Sequence, residues 1–337
     1  MIKLDKKISA FVKLGEYLRR ENVDSKLCNL IIKTENNNGW FTFKNSLHAL
    51  KVWGNTLRKE NILKWIHKYK LVNKNIKQVG IIMAGNIPIV GFHDLMCVLF
   101  TNHIAIVKTS SSDPYLIPFL YNKLVEFESG LAEKAIFKNK IDFVDAIIGT
   151  GNSITIKNIN EKFQFCPSIL RGPRNSIAII DGKETEEELK LLSNDIFEYF
   201  GFGCRSITKI YVPINYDFSL LKKILKEKTE SISLIDYVNS FRKNKAINEI
   251  IKNKFHIAGK LILIEDKNIH AEISSVNYEY YPNMDWVSKE IKSNSKNIQC
   301  IVRRKNRDSS IKFGEAQKPT LWTYADNIDT VDFLSSL

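Results

Sequence analysis

No CxxC pair occurs in the chain, and its five cysteines, Cys28, Cys97, Cys166, Cys204 and Cys300, are odd in number and far apart. That pattern suits neither a zinc ribbon nor a disulfide framework, and it points to a reducing, cytoplasmic setting. No Walker motif and no G-x-G-x-x-G is present, and no repeat of solenoid length recurs. The opening stretch "MIKLDKKISAFVKLGEYLRR" lacks the apolar core of a signal peptide. It reads instead as an amphipathic helix with Ile8, Phe11, Leu14 and Leu18 on one face. The one long apolar run, "VGIIMAGNIPIVGFHDLMCVLF" at 79–100, is broken by Asn86-Ile87-Pro88 and carries His93 and Asp94. A membrane-spanning helix would leave those polar groups in hydrocarbon at several kcal/mol each, so the run reads as a buried strand, a turn and a helix opened by Pro88.

What is there is a chain of 337 residues, long enough for two domains, with 44% hydrophobic and 26% charged residues, a globular rather than a disordered balance. The formal charge of +13 raises nucleic acid as a partner. Against it, the cations are scattered, and "RRKNR" at 303–307 is the tight cluster. The excess favours anionic small ligands such as nucleotides and coenzyme A. The first 70 or so residues have helical periodicity, with an Asn-rich loop, "ENNNG", at 35–39. From Val79 onward, short apolar runs ("VGIIMAG", "IAIVKTS", "FVDAIIGTGN") alternate with helical stretches, one of them after Asp113-Pro114. A second series follows from "SIAIIDG" at 176–182 through "SITKIYVP", "KLILIED", "EISSVNYEYY" and "IQCIVRR". Such alternation predicts parallel βαβ units in doubly wound α/β domains, with ligands at the carboxyl ends of the strands. The acids of "TEEE" at 185–188 suit the first turn of a helix.

Several residues are placed to carry chemistry. Cys204 sits in "YFGFGCRSITKIYVP", between a glycine turn and a β-branched run. A thiol with an ordinary pKa of about 8.5 needs nearby amides or a cation such as Arg205 to become a ready nucleophile. A buried cysteine at a strand start is the competing reading. Asn86, in "MAGNIP", either aims its amide at a developing oxyanion or caps the next helix. Lys108 closes a strand and is followed by Ser110 and Ser111, which suits a ribose or phosphate as well as a solvated turn. Gly151, in "GTGN", is a weak phosphate-loop signal. His93 is either a proton-exchanging group or a satisfied surface histidine.

Taken in order, "IIMAGNIP", "IVKTSSS", "GTGN" and "FGFGCRSITKIYVP" resemble the aldehyde dehydrogenase superfamily. Within it they are most similar to the LuxC-type acyl-CoA reductases, the fatty acid reductases, in a compact bacterial form. The resemblance implies an aldehyde dehydrogenase-like fold with an N-terminal helical segment (1–75) packed on a nucleotide-binding domain (76–175). A catalytic domain (176–312) and a tail at 313–337 that serves as an oligomer contact complete it. It implies Cys204 as the nucleophile, Asn86 as the oxyanion donor and Lys108 as a nucleotide ligand, with Lys209 as the basic residue five positions after the cysteine. In this reading an acyl-CoA thioester is reduced to an aldehyde through an acyl-cysteine, with His93 exchanging protons. Where aldehyde-oxidising relatives carry a water-activating Glu, this chain has "ILRGPRNSIAI", with no carboxylate at that point. Ser111 replaces a Glu that NAD-preferring relatives carry, which leans the reading to NADPH over NADH; Ser110 and Gly151 complete the expected cofactor set. Glu279, in "NYEYYP", resembles the acid that holds the nicotinamide ribose, with its spacing to the next Pro one residue short. The expected partners are the acyl-CoA, a second copy of the chain or an acyl-supplying protein, and neither nucleic acid nor a metal. An acyl-phosphate or semialdehyde reductase, an ordinary aldehyde dehydrogenase and a catalytically silent basic binding protein remain as alternatives.

Overall fold

The apolar spacing of the first segment is realised in four helices, α1 (Leu4–Arg19), α2 (Ser25–Asn37), α3 (Phe43–Thr56) and α4 (Lys59–Ile66). On α1, Ile8, Phe11, Leu14 and Leu18 are all buried, and so is Lys7. Lys7 Nζ donates to the carbonyls of Leu99 (2.6 Å) and Phe100 (3.2 Å) and to Asn102 Oδ1 (2.6 Å). It thus satisfies carbonyls left over where the helix ending at Phe100 stops, a site that favours a cation. Burial pushes its pKa down to about 8. The Asn-rich loop expected at 35–39 is a loop only in its second half, because α2 runs through Asn37. Leu27, Ile31 and Thr34 continue its buried stripe, and that packing outweighs the weak helix propensity of the asparagines.

The computed structural model describes residues 2–71, 75–304 and 310–337. It divides into two units, Met1–Pro173 with Thr320–Leu337, and Arg174–Pro319. In the first, β1 (Gln78–Ile82), β2 (Ile104–Lys108), β3 (Ala135–Phe137), β4 (Ala146–Thr150) and β5 (Ser168–Arg171) form a parallel sheet in the order β3-β2-β1-β4-β5. Helices α5 (Phe92–Phe100), α6 (Leu116–Phe127) and α7 (Ser153–Lys162) connect its strands. The strand order reverses between β1 and β4, which opens a crevice at their carboxyl ends. Val79, Ile81, Ala105–Val107 and Ala146–Ile148 are buried, as continuous apolar strands covered on both faces must be.

The helix expected to open at Pro88 opens at Phe92 instead. Ile89 holds φ +56°, outside the helical basin, at a cost of roughly 1–2 kcal/mol for an L-residue. Asp113, 3% exposed, stabilises that turn by accepting the Ile89 N–H at 2.7 Å.

The N-terminal helices lie in one unit with the first sheet, that unit's first stretch ends at Pro173, and the tail at 313–337 is divided. Residues 313–319 stay with the second unit, whereas Thr320–Leu337 pack in the first. There Trp65 Nε1 donates to the Tyr324 hydroxyl at 2.7 Å. His103 Nε2 lies 2.8 Å from the Leu334 carbonyl. Arg171 pairs with both oxygens of Asp94 (3.0 and 2.8 Å) and with Thr330 Oγ1 (2.9 Å). Tyr324, Thr330 and Leu334 are thus used in the packing of this unit.

The second unit holds β6 (Asn175–Ile179), β7 (Ile207–Pro213), β8 (Phe255–Ala258), β9 (Leu261–Glu265), β10 (Ser275–Tyr281), β11 (Ile298–Arg303) and β12 (Ile311–Lys312). Their order is β12-β11-β6-β7-β10-β9-β8, parallel except for the β8–β9 pair at the edge. Its helices are α8 (Glu186–Phe197), α9 (Ser219–Glu230), α10 (Ile235–Ile250) and α11 (Met284–Ser293). The acids at 186–188 form the first turn of α8, closed by a reciprocal capping box between Thr185 and Glu188. Among the described residues, no helix is long and apolar enough to cross a membrane, and no group of three or more His, Cys, Asp or Glu could hold a metal ion. In the basic cluster, Arg304 pairs with Asp181 at 3.0 Å, and residues 305–307 lie outside the described residues.

Removing one partner of the buried Arg171–Asp94 pair strands the other charge. Arg171→Leu is expected to lower the unfolding free energy by roughly 3–5 kcal/mol in a urea titration, with Asp94→Leu in the same chain restoring much of it. Burial pushes Asp113 up to about 6 from 3.8, so the folded state binds its proton more tightly. The stability it contributes is complete below pH 4 and is lost as the pH rises through 6. Urea titrations at pH 4 and pH 7 should therefore show Asp113→Asn gaining on the parent by roughly 3 kcal/mol between them.

Candidate active site

Neighbouring strands β2, β1 and β4 bring five expected residues to one edge of the first sheet. Lys108 ends β2, and its carbonyl accepts the Met83 N–H at 3.0 Å, which holds the ends of β1 and β2 together. Gly85, beside Asn86, lies so close to the β2 turn that a Cβ would fall 2.3 Å from Ser110 Oγ. Only glycine permits that approach, and it sets the Asn86 turn directly against Ser110. Ser110 Oγ accepts the Ser112 N–H at 3.2 Å, and Asn37, in the last turn of α2, donates from Nδ2 to the Ser111 carbonyl at 3.0 Å. Gly151 follows β4, where a Cβ would meet Thr155 Cγ2 at 2.7 Å. Asn152 then caps α7 through Thr155 N at 2.8 Å. Asn86, Lys108 and Ser111 are exposed. An ammonium, two serines, an amide and a capped helix start at one sheet edge suit a phosphorylated, polyhydroxylated ligand.

His93 is placed differently. It is the second residue of α5, its ring lies 5.4–6.2 Å from the rings of Tyr324, Trp65 and Trp53, and Nε2 lies 2.9 Å from the Leu321 carbonyl. Burial pushes its pKa below the ordinary histidine value. A ring donating from Nε2 to the Leu321 carbonyl serves the packing of residues 320–337.

The second unit holds Cys204, the one exposed cysteine of the five. Cys97 and Cys300 are buried, and burial raises the pKa of both thiols. Three successive left-handed residues precede Cys204 in the chain: Tyr199 (φ 52°), Phe200 (φ 57°) and Gly201 (φ 86°). Two aromatic residues in that region store strain of about 1–3 kcal/mol each, a feature concentrated at functional turns. Ser176 on β6 donates its hydroxyl to the Cys204 carbonyl at 2.9 Å and also accepts the Cys300 N–H at 3.2 Å. The turn bearing the thiol is thereby tied to the sheet.

Glu279, on β10, lies in this unit too. Its Oε2 accepts from Lys209 Nζ at 2.8 Å, and Lys209, whose side chain is 0% exposed, also donates to the Asp266 carbonyl. Burial lowers the pKa of Lys209, and Glu279 opposes that shift. The basic residue five positions after the cysteine thus serves as the partner of Glu279.

Sequence reasoning passed over Ser176, Asp113 and Asp195. The first two carried no local signal. Asp195 carried one: it sits three residues after Leu192 on the apolar side of α8, where an acid has no reason to be unless it is bonded.

Comparison with known proteins agrees with this architecture. Residues 59–228, half of the chain, match the family described as acyl-CoA reductase (LuxC). Over 146 residues the chain is 27% identical to the long-chain acyl-protein thioester reductase 2 of Photobacterium leiognathi, covering 39% of this chain and 30% of that protein. The corresponding reductase of Photobacterium phosphoreum is 26% identical over the same length and coverage. The alignments thus span under a third of the curated relatives. Among solved structures, aldehyde dehydrogenase 21 from Physcomitrella patens superposes with a TM-score of 0.67 at 12% identity, covering 90% of this chain and 73% of that one. A NAD-dependent benzaldehyde dehydrogenase from Corynebacterium glutamicum gives 0.66 at 11% identity, with 90% and 76% covered. The fold is that of the aldehyde dehydrogenases, and the chain belongs to the LuxC family of acyl-CoA reductases.

Proposed function

We propose that the protein reduces an acyl thioester to the aldehyde, with Cys204 as the nucleophile and NADPH as the reductant. The observation that carries the reading is the selective exposure of Cys204 beside a strained turn, in a chain whose other cysteines are buried or half-buried. In this mechanism the Cys204 thiolate attacks the acyl carbon, the C–S bond to the donor breaks, and the departing thiolate takes a proton. An acyl-cysteine remains. The amide of Asn86 is assigned to the oxyanion that develops in the attack. Reduced nicotinamide supplies the hydride when bound. The Cys204 thiolate then leaves from the reduced carbon and is ready for another cycle.

The residues at the first sheet's edge fit that cofactor. Lys108, Ser110 and Ser111 offer a cation and hydroxyls to a phosphorylated ribose, and Gly85 and Gly151 lie too close to Ser110 and Thr155 to carry side chains there. With serine at 111, nothing at that position repels a 2′-phosphate. The donor is either coenzyme A or, as in the names of the Photobacterium relatives, an acylated protein; both present the same thioester to Cys204. Acyl-phosphate reduction and a silent binding protein are the readings the assay must eliminate.

Absorbance of the reduced nicotinamide is followed with NADPH or NADH and a series of acyl-CoA chain lengths. Acyl-CoA-dependent oxidation is expected in the parent, faster with NADPH, and lost in Cys204→Ser. Asn86→Ala is expected to lower kcat by about 10²–10³ with a smaller change in KM, as for loss of an oxyanion donor. An intact response in Cys204→Ser would overturn the assignment of the nucleophile.

A further inference from the structure

Asp195, 1% exposed, sits on α8 beside Leu192 and Ile196. Its two oxygens accept backbone N–H groups from one loop, Oδ2 from Gly314 at 2.6 Å and Oδ1 from Ala316 at 3.1 Å. Gly314 holds φ +81°, and a Cβ there would lie 2.9 Å from Leu191 Cδ2, so the loop is shaped to lie on α8. The same loop also reaches the residues that follow the thiol. The Ala316 carbonyl accepts from Arg205 Nη1 at 3.1 Å, and Gln317 Nε2 donates to Ser206 Oγ at 3.0 Å. Ser206 N in turn bonds the Gly203 carbonyl at 2.9 Å, which closes the turn around Cys204.

We propose that Asp195 is a positioning residue for Cys204, acting through the loop Phe313–Gln317. The inference rests on the reading of Cys204 as the reactive thiol and goes beyond it by naming what holds the turn in place. An amide at this position offers one acceptor oxygen without placing a charge in the interior. A carboxylate satisfies two at fixed positions, and here it does so at a cost to folding, because burial pushes Asp195 up to about 6 and it is ionised against that burial at neutral pH. The charged groups acting on it are Glu315 and Lys318 from the loop. Arg205 and Asp195 both act on Cys300 of β11, whose thiol burial keeps neutral. An amide in place of the carboxylate keeps one acceptor oxygen and releases one of the two N–H groups. The loop then loosens, and the turn loosens with it.

The test is amide hydrogen exchange by mass spectrometry at pH 7.5 on the full chain with no cofactor or acyl donor added. In the parent, peptides covering 199–206 and 311–319 are expected to be protected together. Asp195→Asn should lose about tenfold in protection at both segments, with its melting temperature unchanged or raised. Gln317→Ala, which leaves the Asp195 bonds intact, should deprotect 199–206 while 311–316 stays protected. Loss confined to 311–319 in Asp195→Asn would overturn the proposal, as would a general loss across the second unit with a fall in melting temperature. A protein that fails the reductase assay can still pass this test, so the two readings fail separately.

Discussion

Parallel pairing of β1 with β2 on one side and β4 on the other is the constraint on which the first unit's site depends. The register Ile82↔Lys108 brings the ends of β1 and β2 level, and Ile82↔Gly149 does the same for β4. Three connections then leave the sheet side by side. What each connection does is decided by its own chemistry: a left-handed Ile89 held by Asp113, a serine turn braced by α2, and a glycine leading into the capped start of α7. The sheet supplies adjacency, and the turns supply the functional groups.

The second unit answers a different problem, that of presenting a thiol without letting it wander. Cys204 precedes β7 rather than following a strand, so sheet pairing alone does not fix it. Hydrogen bonds from Ser176 on one side and from the loop at 313–317 on the other do that work, with strain in Tyr199 and Phe200 opposing them. An exposed reactive group next to buried supports is the arrangement that keeps geometry while leaving access.

Much of this was legible in the chain. Parallel strands covered on both faces read as unbroken apolar runs, so "VGIIMAG" and "IAIVKTS" announced themselves, and "TEEE" matched the capping of α8. The exposed thiol and the sheet-edge residues also stood out, because glycine, lysine and cysteine at strand ends break the pattern around them. What stayed hidden depends on partners distant in sequence. Arg171 closes a short edge strand whose meaning comes from Asp94, 77 positions away. Pro88 advertised a helix start, but the left-handed Ile89 behind it is held by Asp113, 24 positions on. The end of α2 is helical because of what Leu27 and Ile31 pack against, and propensity could not show that.

The division of the chain bears on how it is made. Arg174–Pro319 is continuous, so every strand of its sheet has been synthesised before Thr320 appears. The first unit begins earlier yet is completed later: Trp65, His103 and Arg171 wait for Tyr324, Leu334 and Thr330. During translation the later-encoded unit can therefore close first, while the crevice-bearing sheet stays without its final covering segment. Contacts spanning 259 residues, as between Trp65 and Tyr324, also give that closing step long loops to close. A truncation that removed the last 18 residues would thus strip an inner layer from the unit that folds around the chain's beginning, rather than trim a surface appendage.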